Sequence, residues 1–254
     1  MVTNQQRREQ IITDRLLKGY EKAYAKKIKT IRNEIISKSS LLYEETGVVY
    51  TPELLDEYNQ KLVAAYRANS RAVVPTFSKR VVKQLRQQIT DIERLDNVGY
   101  HTLLSDAWVS EFALEKSKLV SSTTFTELEN VVKNGVNQQL TSTEISRNLR
   151  KVKDLSRWRA SAIARTETHN AAMYASHETA KSIDIGSEKT VYKTWVPTQD
   201  ARTRDTHGNM STEPSIPTTG TFNVGGFPMS RPGDPDAPAR EVINCRCVLS
   251  YQMR

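Results

Sequence analysis

The sequence predicts an α+β protein that is mainly α-helical in its N-terminal two thirds and ends in a small antiparallel β-containing domain. Two observations predict this. Up to about Lys181, apolar residues recur every three or four positions, which is the spacing of an amphipathic helix. From Thr190 onward, two strand-like segments flank a stretch rich in glycine and proline. We therefore expect a helical arm or bundle over residues 1–120, a helical region over 121–188 and a small α+β domain over 189–254.

The arm is expected to contain four helices separated by sequence breaks. The first carries an apolar stripe and stops at the polar run 37–40. The second begins at Pro52, directly after the cap residue Thr51. Pro75 is expected to interrupt the second helix, because proline lacks the N–H that a helix interior uses. A third helix is expected over residues 77–92, followed by a fourth.

The end of the arm is marked by a run of serine and threonine at residues 121–124, which is typical of a linker. Another break is expected at Asn134-Gly135. Thr141 and Glu144 follow at a spacing of three, which predicts a capping box at the start of a helix.

One long helix precedes the C-terminal domain, and its polar residues allow two interpretations. Arg165 and His169 are four positions apart and share a helix face, which permits an enzymatic site. Alternatively, Arg165 and Glu167 form buried ion pairs that tie this helix to the C-terminal domain. His177 is expected at the surface.

Positive charge is concentrated in two segments of a chain whose net charge is +8. Residues 1–38 contain ten Lys and Arg against four acids, and residues 147–165 contain seven against one. Basic surfaces attract the phosphates of nucleic acids, so both segments predict non-specific contact with duplex DNA. The predicted contacts are Arg147, Arg150, Lys151 and Lys153. The alternative is that these side chains only form the solvated face of a helix.

The C-terminal domain is expected to be built on two strands, residues 191–196 and 242–249, that pair antiparallel. The region between them is rich in glycine and proline over residues 208–238, which predicts a loop with several turns. Such a region is too long for an ordinary loop, so some interaction must hold it in place.

Metal is one candidate for that interaction. His207, Cys245 and Cys247 are the residue types that zinc selects, and Asp200 or a water molecule could supply the fourth ligand. The two cysteines are two positions apart, so on a strand their side chains would point to the same face. A disulfide between them would strain that geometry.

Polar contacts are the other candidate. The cysteines would then be small buried hydrophobic residues, and arginine side chains would bind carboxylates and loop carbonyls. In this interpretation Asp200 pairs with Arg202 or Arg204, and Asp234 stabilises the turn at residues 232–235. The residues assigned to this structural motif are Trp195, Asp200, Arg202, Arg204, Asp234 and Asn244.

The same motif carries a family resemblance. The patterns W-x4-D-x-R-T-R-x2-H-G from Trp195, P-G-D-P at residues 232–235 and V-I-N-C-R-C at 242–247 occur in this order, after the helical segment 163–168. Together they resemble the C-terminal domain of the phage Mu protein F-like head morphogenesis family, which comprises minor capsid proteins of tailed phages and prophages.

The resemblance implies a protein of the virion that acts in head assembly, and in DNA packaging or ejection. Its implied partners are the portal protein, the major capsid protein and phage DNA, and its implied location is the capsid interior or the portal vertex. The polar first residues lack the apolar core of a signal peptide, and no apolar run reaches the roughly 20 residues of a membrane span. We therefore expect synthesis in the host cytoplasm and no membrane span.

Two further function classes stay open from the sequence. An enzyme could use Asp200, His207 and the cysteine pair as a metal-dependent nuclease or other hydrolase. Related C-terminal domains have also been compared with ADP-ribosyltransferases, which Arg165, Thr166 and Glu167 resemble only loosely. A non-specific DNA-binding module would rest on the two basic segments alone.

Overall fold

A computed structural model describes residues 2–86, 95, 97–185, 187 and 189–254, except for the side chain of Leu155. The fold is α+β, as predicted, with long helices followed by short strands. The main helices are α1 (Asn4–Thr46), α2 (Pro52–Leu85), α3 (Val98–Trp108), α4 (Leu114–Asn137), α5 (Ser142–Lys151) and α6 (Ser156–Ile185). A π-helical turn, Val109–Ala113, joins α3 to α4, and a 3-10 turn, Val152–Leu155, joins α5 to α6.

The helices are longer than the sequence breaks predicted, and the breaks at 37–40, 121–124 and 134–135 are wrong. In the runs 37–40 and 121–124, hydroxyl groups find partners within the helix or on a neighbouring helix. Thr124 Oγ1 donates to the carbonyl of Val120 at 2.8 Å, so its hydroxyl group is satisfied inside the helix. Ser40 Oγ donates to the carbonyl of Ser146 at 3.0 Å, so Ser40 contributes to helix packing.

Pro75 also lies inside a helix, contrary to prediction. Its neighbours Val73, Val74 and Phe77 are buried, and this packing outweighs the roughly 3 kcal/mol that an interior proline costs. The first part of the predicted third helix, from Phe77 to Leu85, is therefore the end of α2. The remainder of that prediction, residues 87–92, lies outside the described residues.

The chain forms two compact units by its internal contacts. The helical unit comprises Lys22–Ala68 and Val109–Ala164, and the sheet unit comprises Met1–Glu21, Asn69–Trp108 and Arg165–Arg254. The three-part domain division predicted from the sequence remains a prediction.

In the helical unit, apolar side chains of α1, α2, α4 and α5 form the core. Its largest fully buried apolar members include Ile28, Ile35, Ile36, Tyr58, Leu62 and Leu128. The capping box at the start of α5 is confirmed, because Thr141 Oγ1 accepts from the Glu144 backbone N–H and the Glu144 carboxylate accepts from that of Thr141. This box fixes the start of the helix that carries the predicted DNA contacts.

The sheet unit contains β1 (Val191–Val196), β2 (Ile216–Pro217) and β5 (Val248–Met253) in the order β2-β1-β5, with antiparallel pairing. Trp195 lies opposite Leu249 in the pair β1–β5. A hairpin of β3 (Phe222–Val224) and β4 (Phe227–Met229) and two short helices, α7 (Asp205–Gly208) and α8 (Ala239–Val242), occupy the long connection. Trp195 and Phe222 pack edge to face in the core of this unit, 5.6 Å between ring centroids.

The closing strand begins at Val248, later than the sequence predicted. Val242 ends α8, and Asn244 adopts a positive φ of 58°, which interrupts any extended segment there. Cys245 and Cys247 therefore precede the strand, and the prediction that they lie on one is wrong. Among the described residues, no helix has the length and apolar character to cross a membrane.

Candidate metal centre

His207 is held in the short helix α7 and is buried in the sheet unit. Its ring packs edge-on against Trp195, with 5.8 Å between the ring centroids. Trp195 itself is fully buried on β1. The tryptophan of the sequence motif therefore sets the position of the histidine.

The two cysteines approach the same ring atom of His207. Nδ1 lies 3.2 Å from Cys247 Sγ and 3.6 Å from Cys245 Sγ. All three residues are buried, and among the described residues they form a group whose potential ligand atoms lie within 4.8 Å of one another. This is the residue set predicted as the metal site, and the structure brings it together.

Glu241 contacts the opposite side of the imidazole. Its Oε2 lies 3.1 Å from His207 Nε2 and also accepts a hydrogen bond from Thr206 Oγ1 at 3.0 Å. Because a carboxylate accepts, Nε2 carries the proton and Nδ1 faces the sulfur atoms. Metal-binding histidines commonly have such a carboxylate behind them. Glu241 was not predicted from the sequence, because no spacing linked it to His207.

The two thiols differ in acidity. The hydrogen bond to Cys247, together with burial, raises the pKa of Cys245 well above its ordinary value. Burial also opposes ionisation of Cys247, but other contributions, the largest of them the hydrogen bond with Cys245, together outweigh burial and hold its pKa well below the ordinary value.

Asp200 lies away from the three potential ligands and binds arginine instead. Its carboxylate accepts from both terminal nitrogens of Arg246, each at 2.6 Å. These bonds hold the pKa of Asp200 well below its ordinary value. Arg202 contributes a backbone N–H at 3.0 Å and a side-chain nitrogen at 3.6 Å. Arg246 was not among the partners predicted for Asp200, although it lies between the two cysteines.

Helix α6 is joined to the cysteine segment through its polar face. Arg165 Nη1 donates to Asn244 Oδ1 at 3.2 Å, and Thr166 Oγ1 accepts from the Asn244 backbone N–H at 3.1 Å. His169 Nε2 donates to the carbonyl of Cys247 at 2.7 Å, and burial lowers the pKa of this histidine. Arg204 Nη2 donates to the carbonyl of Ile243 at 2.5 Å.

A second polar cluster contains Lys193 and Asp234. The carboxylate of Asp234 accepts from the backbone N–H and the hydroxyl of Ser230, at 2.6 and 2.7 Å. Lys193 is fully buried on β1, and its Nζ donates to the carbonyls of Thr218 and Ser230 at 2.8 and 2.7 Å. The burial of Lys193 was not predicted, because an alternating strand pattern does not reveal a lysine whose ammonium group donates to loop carbonyls.

His177 is buried, contrary to the prediction that it lies at the surface. Burial lowers its pKa to about 2, and the positive charge of Lys193 acts in the same direction. The histidine therefore stays neutral in the folded protein, because a charged imidazole there would lose its hydration.

We expect the burial of Lys193 to appear in the pH dependence of stability. Burial lowers its pKa from 10.5 to about 8, so between these values the unfolded chain binds the extra proton and stability rises with pH. The rise that Lys193 contributes should approach about 1.4 kcal/mol per pH unit. Urea unfolding at several pH values should show a shallower rise for Lys193→Met. The exposed Lys189→Met should match the wild type, and an unchanged slope in Lys193→Met would contradict the assignment.

The predicted DNA contacts lie at the end of α5 and just beyond it. Arg147, Arg150 and Lys151 are exposed, and Lys153 is partly exposed. Arg150 Nη2 also donates to Glu44 Oε1 at 2.6 Å, so one of the four has an acidic partner in the helical unit.

The candidate metal ligands lie in a part of the chain that matches a known protein family. Residues 126–250 match the family model described as Phage Mu protein F like protein. The family recognition is thereby confirmed, and the match begins inside α4, earlier than the sequence motif indicated. This part of the chain belongs to the phage Mu protein F-like family, whose members are generally structural proteins of phage head morphogenesis. No curated protein and no solved structure matches the chain.

Proposed function

We propose that the protein is a minor capsid protein that acts in head assembly of a tailed phage or prophage, with a further part in DNA packaging or ejection. The family match over residues 126–250 is the observation that carries this proposal. The portal protein and the major capsid protein are the proposed partners, and the capsid interior or the portal vertex is the proposed location. Long helices suit such a role, since they offer extended faces for a partner.

Particle analysis tests this proposal. Mass spectrometry of purified procapsids and virions should detect the protein, and deletion of its gene should lower particle yield or infectivity. A complemented deletion strain is the control for effects on neighbouring genes. Absence of the protein from both kinds of particle, together with normal yield and infectivity after deletion, would contradict the proposal.

We further propose that His207, Cys245 and Cys247 bind one zinc ion. The donor set fits, because two sulfur atoms and an imidazole nitrogen converge and Glu241 orients the ring. Metal would replace the proton that Cys245 otherwise keeps, since zinc binds thiolates. Bound zinc would link α7 to the segment before β5 and so hold the long connection between the strands.

Metal content is the corresponding measurement. Elemental analysis of protein purified without chelator should find about one zinc per chain, the stoichiometry of a single zinc site. The double variant Cys245→Ser, Cys247→Ser should lose it, because serine offers no thiolate. Asp200→Asn is the matched control: Arg246 already occupies this carboxylate, so zinc should stay bound. If the wild-type protein contains no zinc, the proposed metal site is contradicted. The polar contacts alone would then stabilise the long connection between β1 and β5.

DNA contact is a second candidate function, favoured by exposed residues of the helical unit. Trp158 follows the basic residues of α5 by a few positions in the sequence, and it is 72% exposed. Basic groups that neutralise phosphates and an aromatic side chain that stacks on a base are the usual means of binding a nucleic-acid strand.

The salt dependence of DNA binding tests this function. Each neutralised phosphate should add about 0.9 to the log–log slope of affinity against salt. Arg147, Lys151 and Lys153 changed together to Glu should reduce the slope, and this variant preserves the pair between Arg150 and Glu44. The matched control reverses the charges of Lys116, Lys118 and Lys133 on α4. Equal slopes for the two variants would indicate that the basic residues only face solvent.

A further inference from the structure

A small pocket borders the proposed zinc site. Its volume is about 10 Å³, room for roughly one water molecule. The lining includes the three potential ligands His207, Cys245 and Cys247. It also includes three arginines, Arg202, Arg204 and Arg246.

The protein supplies three ligands to this site. Among the described residues, the group within ligand distance is limited to His207, Cys245 and Cys247. Asp200 is bound to Arg246, and Glu241 is bound to the far nitrogen of the imidazole. Zinc sites with three protein ligands keep their fourth position for water or another small ligand.

The arginines give the pocket a positive charge. The single charge of Asp200 offsets one of the two positive charges of Arg202 and Arg246, which both contact its carboxylate. Arg204 donates to the carbonyl of Ile243, and no acidic side chain pairs with it among the described residues. Zinc with two thiolates carries no net charge, so Arg204 favours an anion beside the metal.

We infer that this pocket is an open coordination position of the zinc site and that it takes a small anion, such as hydroxide or one oxygen of a carboxylate. The inference rests on the proposed zinc site. It extends that proposal, because a metal that only held the connection in place would need no accessible position. Arg204 is the residue that selects the negative charge.

Cobalt substitution of the full-length protein tests the inference. Cobalt(II) absorbs visible light in a way that depends on its ligands, and azide and formate serve as the probe anions. Both should change the spectrum saturably. Arg204→Gln should weaken azide binding at least about tenfold, the range expected for a lost hydrogen bond to a charged group. Arg71→Gln, which removes the same charge outside the pocket, should bind azide as the wild type does.

Metal content measured on the same samples separates the two proposals. A chain that holds cobalt but gives the same spectrum with and without the anions would overturn the open position and leave the metal site standing. Unchanged azide affinity in Arg204→Gln would overturn the role of this arginine. A chain that binds neither zinc nor cobalt would overturn both the metal site and the inference built on it.

Discussion

Substitution of Glu127 by Gln is expected to destabilise the helical unit by about 3 kcal/mol, the cost of removing one partner from a buried ion pair. Arg32 on α1 is fully buried, and its Nη2 donates to Glu127 on α4. The Nε and Nη1 atoms of Arg32 have no hydrogen-bond partner among the described residues. Glu127 therefore carries the whole compensation for a desolvated guanidinium, although its own side chain is partly exposed.

Urea unfolding followed by circular dichroism measures this cost. Arg150→Gln is the matched control, because it breaks the exposed pair with Glu44 in the same unit and should cost about 1 kcal/mol or less. The double variant Arg32→Met, Glu127→Gln should recover most of the stability, since no unpaired charge then remains buried. A loss in Glu127→Gln no larger than the control would show that Arg32 does not depend on this carboxylate.

Helix boundaries were predictable from the sequence where the residues that determine them lie close together in the chain. The capping box of Thr141 and Glu144 needs only residues three positions apart, and it was found correctly. The helix breaks predicted at Ser40 and Thr124 were wrong. A run of serine and threonine residues occurs both in linkers and in packed helices, so the run alone does not distinguish the two. What decides the outcome is the tertiary partner, such as Ser146 for Ser40, and this partner is far away in the sequence.

The candidate site was predictable in its residue types but less so in its surroundings. The spacing of Cys245 and Cys247 suggested a strand, yet the positive φ of Asn244 places both cysteines before β5. They nevertheless meet His207, since the chain bends rather than extends there. Glu241 could not be predicted, because its contact with His207 arises only when α7 and α8 come together.

Buried charge was the feature least accessible to sequence reasoning. Lys193 and Arg231 are both buried in the sheet unit, where backbone carbonyls accept their hydrogen bonds. Carbonyl groups are the same for every residue type, so a sequence does not show which of them will be free to accept a charged side chain.

Substitution of Gly233 by Ala is expected to be about as damaging as the loss of Glu127. Gly233 has a φ of 75°, and a Cβ atom there would lie 2.1 Å from Asn170 Oδ1. The left-handed backbone alone costs alanine roughly 1–2 kcal/mol. Asn170 is buried, so relieving the clash requires movement within the core, at a further cost of roughly 1–3 kcal/mol. The turn also carries Arg231 and Asp234, so its displacement would disturb the bonds of Asp234 to Ser230.

Comparison with a second glycine isolates the steric part of this prediction. Gly226 has a φ of 88°, but no atom lies within 4 Å of a Cβ added there, so Gly226→Ala should show only the backbone cost. Urea unfolding should therefore rank Gly233→Ala below Gly226→Ala in stability. Adding Asn170→Ala to Gly233→Ala should cost less than Asn170→Ala costs alone in the wild type, because it also removes the clashing atom. If the two glycine variants are equally stable, the close approach of Gly233 to Asn170 does not constrain this turn.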